Sequence, residues 1–144
     1  PRWTMNGTRL KKAEPYALLP PGFEDLETDW HMSPAVVSGD HVFLTGFNGC
    51  PLNGPPPAEP QAQMRIAFDT VAEVLGEGGL DWGQVVDMTS YHVGLADHLD
   101  LFKSVRATYV RRPYPAWTAI EVAGFAMQGV IVELKVVARL PGAT

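Results

Sequence analysis

The run from Arg112 to Leu140, RPYPAWTAIEVAGFAMQGVIVELKVVARL, constrains this chain more than any other segment. Pro113 and Pro115 break whatever precedes it, because proline lacks an amide donor and fixes its own φ. Ala116 to Val122 then reads as a strand, and Gly129 opens a second strand over Val130 to Arg139. Side chains alternate along a strand, so Trp117, Ala119 and Glu121 share one face and Thr118, Ile120 and Val122 the other. A carboxylate on the same face as an indole makes that face a candidate pocket wall.

Two strands at the end of a chain need partners, and the rest of the sequence supplies them. Ala35 to Val37 and His41 to Phe47 read as a hairpin around Ser38-Gly39-Asp40, with the glycine giving the turn its freedom. Residues 48 to 60, NGCPLNGPPPAEP, form a loop with two Asn-Gly steps and three consecutive prolines. Ala62 to Leu75 reads as a helix, because Met64, Ala67, Phe68, Val71, Val74 and Leu75 recur at helical spacing. Gly76, Gly78 and Gly79 end it. Asp81-Trp82-Gly83 leads into a strand over Val85 to Val93, with Met88, Ser90 and His92 on one face. Asp97 to Tyr109 reads as a second helix, its Leu101, Phe102, Val105 and Tyr109 covering the sheet.

The resulting order, β-β-α-β-α-β-β, suits a two-layer α+β domain with a mixed sheet and two helices on one face. Its expected extent is 33–144. Residues 1–32 are expected to form an N-terminal arm, Pro-rich and irregular, with a basic cluster at Arg9, Lys11 and Lys12 and an acidic one from Glu24 to Asp29. Trp3, Tyr16, Phe23 and Trp30 are expected to dock parts of it on the domain.

At 144 residues and 46% hydrophobic, the chain has the size and apolar content for one domain with a core of its own. The single cysteine, Cys50, excludes an internal disulfide, and a reducing, cytoplasmic setting is the natural expectation. No apolar run approaches the roughly 18 residues of a membrane span, and the start lacks the order of a secretory signal. A net charge of -5 argues against nucleic acid as a partner.

His31, His41, His92 and His98 have no metal-ligand spacing, so no metal site is expected. Phosphate loops and serine elbows are also missing. Cys50, in the proline-rich loop, reads as an inert thiol. Glu133 and Lys135 share a face of the last strand and read as cross-strand sheet chemistry. Glu121, between Ile120 and Val122, is the candidate catalytic carboxylate, because burial there would raise its pKa and suit it to proton exchange.

From about Ser33 to Leu140 the chain resembles the reactive-intermediate deaminase (Rid) family, once described as endoribonucleases. Ser33-Pro34-Ala35-Val36 and Gly39 to Gly46 resemble the family's opening hairpin. Gln63 to Leu75 with Gly79-Leu80 resembles its first helix and exit, Val85 to Val93 its third strand, and Pro115 to Val122 and Val130 to Ala138 its closing strands. The order and spacing of these pieces carry the resemblance.

The resemblance implies a chorismate-mutase-like fold, a homotrimer with clefts between subunits, and cofactor-free hydrolysis of enamines or imines to carbonyl compounds and ammonia. It also implies an arginine that grips the substrate carboxylate, in a Pro-Ala-Arg-Ser/Thr run. This chain has Pro115-Ala116-Trp117-Thr118 instead, and an indole cannot neutralise a carboxylate. Met32 stands where the family has a cleft tyrosine and Ala119 where it has a cysteine, whereas Glu121 matches a family glutamate beside the reaction site. The expected substrate-binding residues are therefore Trp117, Ala119, Met32, Gly46, His92 and Arg106. Arg106 is included because it, Arg111 and Arg112 remain to anchor an anion. The expected function is that of a divergent imine or enamine deaminase acting on an unusual small-molecule substrate. The alternative is a non-catalytic ligand-binding or chaperone-like trimer.

Overall fold

The computed structural model describes residues 13–142, together with the backbone of two short strands before them, β1 (Thr4–Met5) and β2 (Thr8–Arg9), which pair with each other. Trp3, Lys11 and Lys12 lie outside the described residues. The domain that follows is one sheet with its helices. Its strands are β3 (Tyr16–Leu18), β4 (Ala35–Ser38), β5 (His41–Leu44), β6 (Phe47–Asn48), β7 (Val85–His92), β8 (Ala116–Glu121) and β9 (Val132–Arg139). They lie in the order β3-β4-β5-β9-β7-β8, with β6 pairing β9 beyond the end of β5. Only β7 and β8 run parallel, because a helix rather than a tight turn connects them.

The last strand in sequence is a central one in space. In β9, Val132, Leu134, Val136 and Ala138 are wholly buried, while Glu133, Lys135 and Val137 alternate with them and face the other way. Helices α2 (Pro60–Glu77) and α3 (Leu95–Arg106) cover the first of these faces. The expected stripe of α2, from Met64 to Leu75, is completely buried. Its exit is a Schellman turn: Leu80 N donates to Leu75 O, Gly79 N donates to Gly76 O, and Gly79 has φ +72°. Trp82 then enters the core through a short 3-10 turn capped reciprocally by Asp81 and Gln84, and its indole donates to Phe68 O at 3.1 Å. Phe68 gathers Trp82, Phe102 and Tyr109 at centroid distances of 4.6–5.6 Å.

Three differences from the sequence reading have physical causes. Helix α3 starts two residues early, at Leu95 behind an N-cap Gly94 with φ +71°, and stops at Arg106. Tyr109 instead follows as a turn that stacks on Phe68 and donates its hydroxyl to Asp69 at 2.7 Å. A third, short helix, α1 (Glu24–Thr28), lies within the segment assigned to the arm. In that same segment Tyr16–Leu18 pairs with β4, and Phe23 is buried edge-on against Phe47 at 5.9 Å, so residues from Tyr16 onward are built into the domain. Phe23 docks as its aromatic character suggested, whereas Tyr16 and Trp30 stay largely exposed.

One polar side chain fastens the long loops to this frame. Gln63, 1% exposed in the first turn of α2, donates its amide to Pro57 O at 2.8 Å and Gly129 O at 2.7 Å, and accepts from Ile131 N at 2.9 Å. Gly49 packs so tightly over it that a Cβ there would lie 2.5 Å from Gln63 Cβ. Replacing Gln63 by leucine keeps the volume but leaves three partly buried backbone groups without their partner. We expect Q63L to lose about 3 kcal/mol or more of folding stability, read as a lowered urea midpoint, and an unchanged midpoint would remove the clamp from the account of the fold.

Candidate active site

The alternation of β9 turns Glu133 away from the helix-covered core, toward a break between β5 and β6. There Thr45 and Gly46 carry the chain from one strand to the next, and a cavity of about 420 Å³ opens. Glu133, Met32, Thr45, Gly46, Asn48 and Cys50 line it, with Trp30, Leu52 and Met127 around them. Gly46 is the residue that admits the carboxylate, since a Cβ at that position would stand 2.7 Å from Glu133 Oε2. Burial raises the pKa of Glu133 above the usual carboxylate range. Among the described residues no cation forms a salt bridge with it. A half-buried carboxyl whose charged form is disfavoured by burial is suited to exchanging a proton with a ligand.

Cys50 shares this cavity but is poorly placed as a nucleophile. Its thiol donates to Gly54 O at 3.1 Å and lies 3.2 Å from Met127 Sδ. Burial raises its pKa, which keeps the sulfur protonated.

The structure divides the sequence-predicted residues into two groups. Met32 and Gly46 line the cavity with Glu133. Trp117, Ala119, His92 and Arg106 do not line it; they cluster under and beside α3. The parallel register places Trp117 beside Met88 and Ala119 beside Ser90. The face of β8 that carries Trp117 is thus the helix-covered face, not an open wall. Trp117 Nε1 donates to Ser90 Oγ at 2.8 Å, and its ring packs 5.7 Å from Phe102. The Arg106 guanidinium lies over that ring at 4.3 Å while its Nε donates to Met88 Sδ at 3.2 Å. Arg111 is paired with Asp81 at 3.1 Å, and Arg112 lies over Tyr114.

Glu121 sits elsewhere again. It is exposed at the end of β8, and its Oε1 accepts from Leu95 N at 3.0 Å. Gly94, at the start of α3, has no side chain to satisfy that amide, so Glu121 caps the helix from a distance and complements its dipole. The burial that made it the candidate acid does not occur, because β8 is an edge strand and Ile120 is itself exposed. Glu133 is the carboxylate that sequence reasoning passed over. Its signal was present, a glutamate inside an apolar strand, but the strand pattern alone does not say that Gly46 lies opposite.

His92 is 1% exposed, 2.8 Å from Ser90 Oγ through Nε2, and edge-on to Phe102. Burial, with a smaller contribution from His98, lowers its pKa to about 4, so the ring is neutral at pH 7. Ser90 can then donate its proton to the imidazole while accepting from Trp117. His92 is thus part of a buried polar chain holding the indole in place.

Comparison with known proteins agrees with this architecture. The family model for Endoribonuclease L-PSP matches residues 24–140. The RutC family protein YjgH of Escherichia coli (strain K12) is 33% identical over 126 residues, which cover 87% of this chain and 95% of that protein. The solved structure of a protein YJGH superposes with a TM-score of 0.79 at 32% identity, covering 91% of this chain and all of that one. RidA from the Antarctic bacterium Psychrobacter sp. PAMC 21119 gives a TM-score of 0.70 at 23% identity, covering 76% and 88%. The last likeness is one of fold, the chorismate-mutase-like sheet with helices on one face. Among the described residues no helix is long and apolar enough to cross a membrane.

The lowered pKa of His92 has a consequence for stability. The unfolded chain binds a proton near the ordinary histidine value, the folded chain only near 4. Stability from this group is therefore complete above about 6.5 and is lost as pH falls from there toward 4, by about 3 kcal/mol in all. Urea unfolding at pH 7.5 and pH 4.5 should show H92Q losing less between the two pH values than the parent. Equal losses would mean that His92 is not a buried neutral group.

Proposed function

This chain belongs to the endoribonuclease L-PSP family, which includes RutC and Rid proteins, and on that premise we propose that it hydrolyses a reactive imine or enamine to a carbonyl compound and ammonia. The observation that carries this reading is Glu133, a half-buried carboxyl of raised pKa in a walled cavity. In this reaction the carboxyl delivers a proton to the imine nitrogen, or to the β-carbon of an enamine, and so creates an electrophilic iminium. The carboxylate left behind takes a proton from a water as that water adds to the carbon. The resulting carbinolamine expels its nitrogen as ammonia once the carboxyl returns the proton, and as the C=O bond forms the hydroxyl proton passes back to the carboxylate, which restores the starting carboxyl. Atoms and charge balance without a cofactor.

A homotrimer with clefts between subunits is part of the same proposal. The sheet face opposite the helices exposes Phe43 and Ile120 among Lys135, Thr118 and Glu133. A second copy is the simplest cover for such a face. It would also bring the β8 edge of one chain toward the Glu133 cavity of another.

The alternative reading, a ligand-binding trimer without catalysis, draws on Trp117. Its indole is committed to Ser90 and Arg106, and the carboxylate-gripping arginine of the family pattern is absent there. A ribonuclease role fits less well, since a net charge of -5 supplies no basic track for a phosphate backbone.

Ammonia release from a panel of freshly generated imines and enamines separates the readings. We expect E133Q to lower the rate at least about 100-fold, the range for removing a general acid–base group. E121Q should retain most of the rate, because its carboxylate caps a helix. Equal rates in E133Q and the parent would refute the assignment, and release by no imine at all would favour the binding protein. Light scattering should give three times the monomer mass across a dilution series, and a steady monomer would rule out the intersubunit cleft.

A further inference from the structure

We infer that the Glu133 cavity selects a substrate with a planar apolar body and a positively charged nitrogen, and that Trp30 is the platform on which that body lies. This inference rests on the reading of the cavity as the reaction site, and it names the class of imine that enters.

Charge decides the first half. Among the described residues that line it there is one carboxyl, Glu133, and no lysine, arginine or histidine. Lys135 lies two residues along the same face of β9 but donates its ammonium to Leu44 O and is not part of the lining. An iminium nitrogen brings positive charge to Glu133 and is favoured there. A small imine bearing its own carboxylate would set a second negative charge beside the carboxylate that Glu133 becomes on giving up its proton, with no cation among the described lining residues to offset it.

The walls decide the second half. Trp30, Met32, Leu52 and Met127 are four of the large apolar side chains that this chain leaves exposed, and all four border the one cavity. Scattered exposed apolar residues are ordinary, but a convergent set marks a binding surface. Trp30 is the most open of them at 66% exposure, and no hydrogen bond among the described residues holds its indole. Leu26 and Phe47 complete the apolar walls. The thioethers of Met32 and Met127 are polarisable and mould themselves to the edge of an aromatic ring.

The backbone holds this arrangement in place. His31, between Trp30 and Met32, has φ 53°, the only left-handed conformation at a non-glycine residue in the described chain. Met32 N then donates to Leu26 O at 2.9 Å and closes the loop. The reversal at His31 lets Trp30 and Met32, adjacent but for one residue, both border the cavity. A strained residue between two wall residues is the kind of local cost that binding sites retain.

The test uses stable amines and acids as probes, by calorimetry on the full chain. Benzylamine carries a planar ring and a cationic nitrogen, benzoate the same ring with a negative charge, and ethylamine the charge without the ring. We expect benzylamine to bind at least 10-fold more tightly than either of the others. W30A, at an exposed position that the fold does not need, should weaken benzylamine at least 10-fold, and E133Q should do the same. Benzoate binding as well as benzylamine, or W30A binding like the parent, overturns the inference. W30A that leaves benzylamine unchanged while lowering the assembled mass would show instead that Trp30 is covered by a second copy. Ammonia release is read in parallel on an aryl-substituted imine and on 2-iminopropanoate. Benzylamine binding without ammonia release from any imine defeats the hydrolase reading and leaves the ligand class standing. Ammonia release that prefers 2-iminopropanoate and ignores W30A defeats the ligand class and leaves the hydrolase standing.

Discussion

The cavity exists because one buried amide holds its surroundings together. Gln63 reaches from the first turn of α2 to Pro57, Gly129 and Ile131, and so ties the proline-rich loop and the connection before β9 to the same helix. Those two segments carry Cys50, Leu52 and Met127, which form one side of the cavity. Loops of this length have few apolar contacts of their own and would otherwise be ordered at a high entropic cost. Three hydrogen bonds to one buried side chain hold them at little further expense, since every polar atom of that side chain is satisfied. Gly49 is part of the same device, because any larger residue would collide with Gln63.

Strand periodicity sets the rest of the chemistry. Each strand offers its side chains to two faces in strict alternation, and a shift of one residue would exchange them. In β9 this puts Val132 and Leu134 under the helices and Glu133 outside them. In β8 it puts Trp117 on the helix side, where Phe102, Arg106 and Ser90 contact the indole. The residues that the sequence suggested as one site are therefore split between two faces of a single chain. A trimeric cleft, as proposed, is the arrangement in which an edge strand of one copy and the Glu133 cavity of the next could work together.

Burial tunes three titratable groups in directions that suit their places. It raises the carboxyl of Glu133 and the thiol of Cys50 and lowers the imidazole of His92, in each case favouring the uncharged form. The outcome differs because the partners differ. His92 has Ser90 to bond with and becomes structural, whereas Glu133 has open volume before it and no ion pair among the described residues. A group whose charged form burial disfavours and that faces open volume is the one able to exchange protons with a ligand.

The amino-acid sequence by itself determined the elements and much of the fold. The helical stripe from Met64 to Leu75, the glycine-ended exit at Gly79 and the alternation of the last two strands are local patterns, and each reappears in the structure at nearly the same residues. Family likeness was legible in their order and spacing. The ends of α3 and the fate of residues 16 to 32 were not, because they hang on contacts with distant partners: Tyr109 on Phe68, Phe23 on Phe47, Tyr16–Leu18 on β4. The choice between two glutamates lay equally beyond the sequence. Glu121 and Glu133 each interrupt an apolar strand and look alike in one dimension. Only the tertiary structure put one at an exposed edge beside the bare amide of Leu95 and the other in a central strand with its carboxylate against Gly46. Burial and the identity of the opposing residue are properties of strand order, and strand order is fixed by pairings far apart in the chain.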